Sequence, residues 1–386
     1  MVYSGRVTKI TETNTSAVTR FIYWIMNTLY CKGYTKPNYP VYLSTDEDLD
    51  DLASLLPRTK KRFVVIDEKL LNLFPQLTTH LRTDETYIFP ITATERNKSL
   101  NGLCNLFDEI FALKPNRDDI VIAVGGGLVM NLGGLAASLI MRGIRFYYIP
   151  TTLTGQIDAS MGSKQAINFK GAKNWLGMFN DPEFCYINPS FLKTTSLREF
   201  NSQAIEGVKL CLATDKHLFN EVFESLDGLY DAPAPGLTSF IEKMIKAKIA
   251  VVEKDLTEDQ YGMSMLYGHT VGHAIEMLDH DNINHGEGVG LGMLAAARIS
   301  CMLGIADESL VTTHEEVLMR LGLPSKIPSH IAPTDIIEKL GHNKKNYEGE
   351  VRFVLLKGIG QMANNNEDYF NVVPNKVISA AIKKGY

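Results

Sequence analysis

Between residues 62 and 152 the hydrophobic positions fall into four short unbroken runs, RFVVID (62–67), TYIFP (86–90), DIVIAVGGG (119–127) and IRFYYIPTT (144–152). They are rich in β-branched and aromatic residues and lack polar alternation, which predicts strands buried on both faces. The stretches between them, such as DEDLDDLASLL (46–56) and SLNGLCNLFDEIFAL (99–113), carry helical spacing. Strand and helix in alternation predict a parallel sheet with helical crossovers. After about residue 195 the pattern changes. Long helical periods dominate in GLTSFIEKMIKAKIAVVEKD (236–255), GVGLGMLAAARISCML (288–303) and TTHEEVLMRLG (312–322), and a β-like patch returns only at EVRFVLL (350–356).

These patterns predict an α/β protein with an N-terminal parallel-sheet, Rossmann-like domain over 1–195 and a mostly α-helical domain over 196–386. A ligand cleft is expected between them. Residues 1–40 read least clearly: the apolar run TRFIYWIMNTLY (19–30) is expected to be a helix packed on the body.

Composition narrows the class. A length of 386 residues suits two cores, and 45% hydrophobic with 22% charged residues suits a folded globular chain. A formal net charge of −5 gives no footprint for nucleic acid. Five scattered cysteines without a CxxC predict reduced thiols and a cytoplasmic setting rather than disulfides. No apolar run is long enough to span a membrane, and the N-terminus lacks a signal-peptide plan.

Two clusters carry candidate chemistry. Gly125, Gly126 and Gly127 stand between a buried strand and a helix, where backbone N–H groups are free to meet a phosphate; a tight turn would look the same. Asp67, at the end of an earlier strand, fits a ribose diol or a plain turn equally well. Thr151 and Thr152 end another strand at the same sheet edge. The second cluster is MLYGHTVGHAIE (265–276) with HGEG from 285, which places three of the nine histidines within 21 residues. His269 and His273, four apart on one helix face, have the spacing of metal ligands, so the residues alone admit His273 as a ligand.

The stretch RGIRFYYIPTTLTGQIDASMGSKQAINFKGAKNWLGMF (142–179), followed in order by IEGVK (205–209), YGHTVGHAIE (267–276), HGEG (285–288) and HNKK (342–345), resembles the dehydroquinate synthase-like sugar phosphate cyclases. The similarity runs from about residue 40 to about 370. The resemblance implies an NAD-dependent, phosphate-eliminating lyase. Such an enzyme oxidises a sugar phosphate transiently, expels phosphate, returns the hydride and closes a carbocycle by an aldol step.

It implies a divalent metal, zinc or alternatively cobalt, on Glu206, His269 and His285. His273 is assigned to phosphate and proton traffic, with Lys164, Asn174 and Lys344 also at the phosphate. Lys209 and Lys248 face substrate hydroxyls, and Asp158 faces the substrate or nicotinamide. Glu95 and Lys98 match a cofactor-binding Glu-x-x-Lys. Asn131 and Lys173 join Asp67, the glycine triplet and the two threonines toward NAD, with an interior acid as the other partner for Lys173. The family also implies a homodimer, with Arg142 reaching across its interface.

Three positions depart from dehydroquinate synthases. Asn131 replaces an Asp, Gly262 replaces the Arg that grips the substrate's carboxylate, and Leu266 replaces an Asn. A buried carboxylate without its partner is strongly disfavoured. The expectation is therefore a neutral sugar phosphate. The first candidate is the 2-deoxy-scyllo-inosose synthase reaction on glucose 6-phosphate, of aminocyclitol and secondary metabolism. The second is a sedoheptulose 7-phosphate (valiolone-type) cyclase, followed by 3-dehydroquinate synthase and a metal-dependent polyol dehydrogenase. A homologue that has lost activity is the remaining alternative.

Overall fold

The computed structural model describes residues 26–57, 61–232, 234–341, 350–364 and 368–386. All four apolar runs are strands. β1 (Asn27–Lys32), β2 (Asn38–Leu43), β3 (Arg62–Asp67), β4 (Thr86–Ile91), β5 (Ile120–Gly125), β6 (Arg145–Pro150) and β9 (Cys185–Ile187) form one sheet. Its order is β1-β2-β9-β6-β5-β3-β4, and every pairing is parallel except β1 with β2. Phe63, Val65, Val121 and Ala123 enter one apolar cluster, while Val64, Ile66, Ile122 and Val124 enter another. Both faces are covered, which is why these runs are continuous rather than alternating.

The expected helix at 19–30 is corrected where it can be seen: residues 27–30 belong to β1, and 19–25 lie outside the described residues. The cause is sheet pairing. Tyr39, Val41 and Leu43 alternate inward along β2, β2 joins β9, and β1 folds back on it. Asp181 fixes the turn by accepting from the backbone N–H groups of Tyr34, Thr35 and Lys36 at 2.9, 2.6 and 2.8 Å. Pairing of this kind with distant strands overrides a short helical pattern.

A separate two-stranded hairpin, β7 (Lys164–Phe169) with β8 (Ala172–Phe179), leaves the sheet after β6. The crossover helix α1 (Leu100–Ala112) starts at Ser99, whose Oγ accepts from the Gly102 N–H. Helix α2 (Gly127–Leu139) opens directly from β5.

The remainder is mostly helical: α3 (Leu197–Thr214), α4 (Ala234–Lys254), α5 (His269–Leu278), α6 (His285–Met302) and α7 (Glu308–Arg320). EVRFVLL forms short strands β10 (Arg352–Val354) and β11 (Leu356–Gly358). Capping boxes open α3 at Ser196 and α6 at Asn284. All five thiols are free, and among the described residues no helix is long and apolar enough to cross a membrane.

Close backbone contacts join α6 to the start of α5 and to α3. A Cβ on Gly292 would lie 1.9 Å from the Gly268 carbonyl oxygen, and one on Gly272 would lie 2.7 Å from that of Gly288. Across the other side of α6, a Cβ on Gly286 would lie 1.7 Å from the Ser202 carbonyl oxygen of α3. The glycines of the GHTVGH and HGEG stretches therefore let three helix backbones approach closer than any side chain permits.

Replacing Gly292 with Ala should push α5 from α6 and destabilise the fold by about 1–3 kcal/mol, the usual range for overpacking. Chemical denaturation measures this; an unchanged midpoint would show that the contact is looser than described.

Candidate functional site

Helix α3 turns Glu206 and Lys209 into the interior, with 4% and 1% of their surfaces exposed. Glu206 Oε2 accepts from Lys209 Nζ at 2.5 Å, and the same ammonium donates to the Met265 carbonyl at 2.7 Å. Glu206 Oε1 is buried and meets no hydrogen-bond donor. It faces His269 Nε2 at 3.8 Å and His285 Nε2 at 3.5 Å.

The far nitrogen of each ring is committed. His269 Nδ1–H donates to the Tyr267 carbonyl at 3.2 Å, and His285 Nδ1–H donates to Glu276 Oε2 at 3.0 Å. In each neutral ring Nε2 then presents its lone pair toward the orphan carboxylate oxygen. Two lone pairs and an unpartnered anionic oxygen directed at one point repel unless a cation lies among them. Carboxylate oxygen with imidazole nitrogen suits zinc or a similar divalent ion, so the residues present fit a metal.

The electrostatics show a demand for positive charge here: burial would lower His285, but Glu206 and Glu276 outweigh it and raise the ring to about 9, so a proton or a metal ion on its Nε2 is favoured beside Glu206. Burial would raise the Glu206 carboxyl, but Lys209, His269 and His285 outweigh it and hold it well below the usual carboxylate range. Burial, with Lys209 adding to it, pushes His269 well below its ordinary value and keeps the ring neutral.

His273 lies one turn along α5, its ring centroid 4.9 Å from that of His269 and 5.5 Å from that of His285. The ligand atoms of these three histidines lie within 4.8 Å of one another. Spacing thus leaves a three-histidine set open as well. The buried Glu206 oxygen is what favours the set of one carboxylate and two imidazoles, because no other group among the described residues satisfies it.

The candidate dinucleotide residues gather at the carboxyl ends of the strands. Gly125 has φ 155, and a Cβ there would lie 2.9 Å from Val129; Gly126 and Gly127 open α2, whose N-terminal dipole suits phosphate. Thr151 N–H donates to the Gly125 carbonyl at 3.0 Å, and Thr152 Oγ1 accepts from the Gly155 N–H at 3.1 Å. Asp67 accepts the Lys69 N–H at 3.1 Å, a turn contact. Asn131 bridges backbone on both sides, donating to the Gly127 carbonyl at 2.7 Å and accepting the Ala166 N–H at 3.0 Å. Glu95 accepts from Asn168 Nδ2 at 2.6 Å. Lys98 Nζ donates to Asn174 Oδ1 at 2.6 Å, and burial, with Lys173 adding to it, lowers the ammonium to about 8. Asn174 is therefore joined to a cofactor candidate.

Lys164 on β7 is ion-paired with Glu258, and Lys248 on α4 reaches Asp158 at 2.7 Å and Glu258 at 3.8 Å. Burial lowers Lys164 despite Glu258, whereas for Lys248 the two acids outweigh burial and raise it. Sequence reading missed Glu258. It sits among charged residues in a turn, with φ 60, and only the fold reveals its two lysine partners. Glu276, also missed, accepts from Lys173 Nζ at 2.8 Å. Lys344 lies outside the described residues, and Arg142 is exposed just after α2.

A cavity of about 240 Å³ adjoins the metal candidates, lined by Thr154, Glu199, Ser202, Gln203, Asn284, His285 and Gly286. A larger one, about 300 Å³, lies between Asn188–Lys193, Phe200, Tyr230 and Leu237 and contains none of the sequence-predicted site residues. The chemistry favours the smaller.

Residues 88–202 match the family described as 3-dehydroquinate synthase N-terminal, and 204–346 match 3-dehydroquinate synthase C-terminal. A 3-dehydroquinate synthase of Synechocystis sp. is 36% identical over 301 residues, covering 77% of this chain and 82% of the relative. Among solved structures, a 2-deoxy-scyllo-inosose synthase complexed with carbaglucose-6-phosphate, NAD+ and Co2+ superposes with a TM-score of 0.84. It is 27% identical, over 93% of this chain and 100% of that one. The 2-epi-5-epi-valiolone synthase ValA of Streptomyces hygroscopicus subsp. jinggangensis 5008, with NAD+ and Zn2+ bound, gives a TM-score of 0.79. It is 26% identical, over 98% and 99% of the two chains.

Glu206→Ala and His269→Ala should each reduce bound divalent metal from about one ion per chain to near zero while retaining the native circular dichroism spectrum. Elemental analysis of the purified variants measures this; full occupancy in both would contradict the ligand set.

Proposed function

This chain belongs to the dehydroquinate synthase-like family of sugar phosphate cyclases, and we propose that it converts a neutral phosphorylated sugar to a carbocycle, with glucose 6-phosphate to 2-deoxy-scyllo-inosose as the leading reaction. The observation that carries the choice of a neutral substrate is the surroundings of Gly262. A Cβ there would meet Glu258 Cγ at 2.8 Å and Asp255 Oδ2 at 3.0 Å, so the side chain that would hold a carboxylate has neither atoms nor room. Asp255 accepts the Gly262 N–H at 2.8 Å and fixes this arrangement. Glu258, beside Lys164 and Lys248, adds negative charge where a carboxylated substrate would need positive charge. The sequence relatives bear the name of the carboxylate-using reaction, and this local chemistry supports a different substrate for the present chain.

Glu206, His269 and His285 would hold the divalent metal, zinc first and cobalt as the alternative. Gly125, Gly126, Gly127, Thr151, Thr152, Glu95 and Lys98 would hold NAD. When bound, these groups supply a Lewis acid for developing charge on oxygen and a reversible hydride acceptor. The chain's own residues do the rest. Lys164, with Asn174 and His273, receives a phosphate dianion, exchanging its contact with Glu258 for one with the leaving group. Lys248 and Asp158, already paired, meet substrate hydroxyls. Lys209 anchors Glu206 from behind.

A second reading, the sedoheptulose 7-phosphate cyclase, is favoured by Leu266, which puts no acid where deoxy-inosose synthases carry one. Valiolone-type cyclases usually replace the second histidine of the GHTVGH pattern, so retention of His273 favours the first. We also place the domain junction at 195–196. A homodimer accords with exposed apolar side chains on β8, Leu176 and Met178 on one face and Trp175, 54% exposed, on the other.

Incubation with glucose 6-phosphate, sedoheptulose 7-phosphate and the carboxylated substrate of 3-dehydroquinate synthases, assayed separately for phosphate and carbocycle, tests this. The expected result is turnover of glucose 6-phosphate and none of the carboxylated sugar; turnover of the carboxylated sugar alone would overturn it.

A further inference from the structure

Glu276 has no part in the chemistry assigned above, yet both of its oxygens are committed. It lies on α5, seven residues after His269, and its side chain is 15% exposed. Oε2 accepts from His285 Nδ1 at 3.0 Å, and Oε1 accepts from Lys173 Nζ at 2.8 Å. Lys173 stands on β8, 103 residues earlier in the chain, so the carboxylate links the hairpin of the α/β half to a metal candidate of the helical half.

The hairpin is anchored on the opposite side too. Asn174, next to Lys173, donates its backbone N–H to Asn168 Oδ1 at 3.0 Å, while its own side-chain oxygen accepts from Lys98. Asn168 donates to Glu95. The strand pair that carries Lys164 and Asn174 is thus held between the Glu95–Lys98 loop and His285.

A carboxylate on Nδ1 fixes the hydrogen at that nitrogen, leaves Nε2 as the ligand atom and sets the plane of the ring. We infer that Glu276, braced by Lys173, is the positioning residue for His285, holding its Nε2 on the Glu206 oxygen and coupling the metal seat to the phosphate-side hairpin. This rests on the assignment of His285 as a ligand. The bland alternative is a surface ion pair of little energetic consequence. Lys173 alone, 42% exposed, would fit that description; Glu276, shielded and shared with a ring nitrogen, does not.

The test is Zn2+ affinity of the metal-free full-length protein without substrate, measured by competition with a chromophoric chelator. Glu276→Ala should weaken Zn2+ on the order of 10- to 100-fold, the usual penalty for losing such a partner. Lys173→Met, which touches no ligand, should weaken it about 2- to 5-fold, as suits a half-exposed pair. Glu276→Gln should recover most of the affinity, since its amide oxygen still accepts from Nδ1–H, and Lys173→Met should then add no further loss. Wild-type affinity in Glu276→Ala, or an unchanged Lys173→Met penalty in the Glu276→Gln background, would overturn the role. If Glu276→Ala does not fold, the Lys173→Met and Glu276→Gln pair decides the question. Glu206→Ala serves as the control: loss of Zn2+ there alongside full affinity in Glu276→Ala sinks only the positioning role, whereas full affinity in Glu206→Ala sinks the metal assignment itself.

Discussion

Everything at the centre of this molecule depends on how closely α5 and α6 approach. With glycine at the contact positions the two backbones meet where side chains would hold them apart, the carbonyl of Gly268 lying against Gly292. That contact brings His269, near the start of one helix, beside His285 at the start of the other, and the Gly286 contact brings both against α3. Glu206 then arrives from α3 with one oxygen taken by Lys209 and the other bare. A bare buried carboxylate oxygen costs several kcal/mol unless a positive centre meets it. Close helix packing and cation demand are two consequences of one glycine pattern.

The α/β half supplies what a metal seat alone lacks. Its strand ends carry a glycine turn into a helix N-terminus, and its hairpin extends Lys164 and Asn174 toward the helical half. Glu258 connects Lys164 to Lys248 and sets the charge of the pocket. Positive groups there are balanced by acids in advance, so under the proposed function a phosphate would exchange partners rather than enter an uncompensated field. The same acid lies against Gly262, where a Cβ would meet its Cγ at 2.8 Å.

The sheet was legible in the sequence because strands buried on both faces leave a plain mark: β3 matches RFVVID residue for residue, and β4, β5 and β6 lie within two residues of their apolar runs. The histidine cluster was legible because three ligand-type residues within 21 positions rarely arise from packing alone. What failed was whatever depended on partners distant in the chain. β1 takes the last four residues of the run expected to be helical, and it is a strand because it pairs with β2, which pairs in turn with β9. The hairpin β7–β8 has a strand that is exposed along most of its length, so it carries no apolar signature. Glu258 and Glu276 are single acids in ordinary surroundings, and only folding shows a lysine or a ring nitrogen against each. Lys209, expected at substrate hydroxyls, donates to Glu206 and to the Met265 carbonyl, a pairing that spacing along one helix does not reveal.

The central claim is that one carboxylate and two imidazoles, rather than three imidazoles, seat the metal. X-ray absorption at the metal edge of the zinc- or cobalt-loaded protein, compared between wild type and His273→Ala, tests it most directly. The account predicts one oxygen and two nitrogen protein ligands at about 2.0–2.2 Å, with a spectrum that His273→Ala leaves unchanged. A first shell of three nitrogens that loses one in His273→Ala would contradict it.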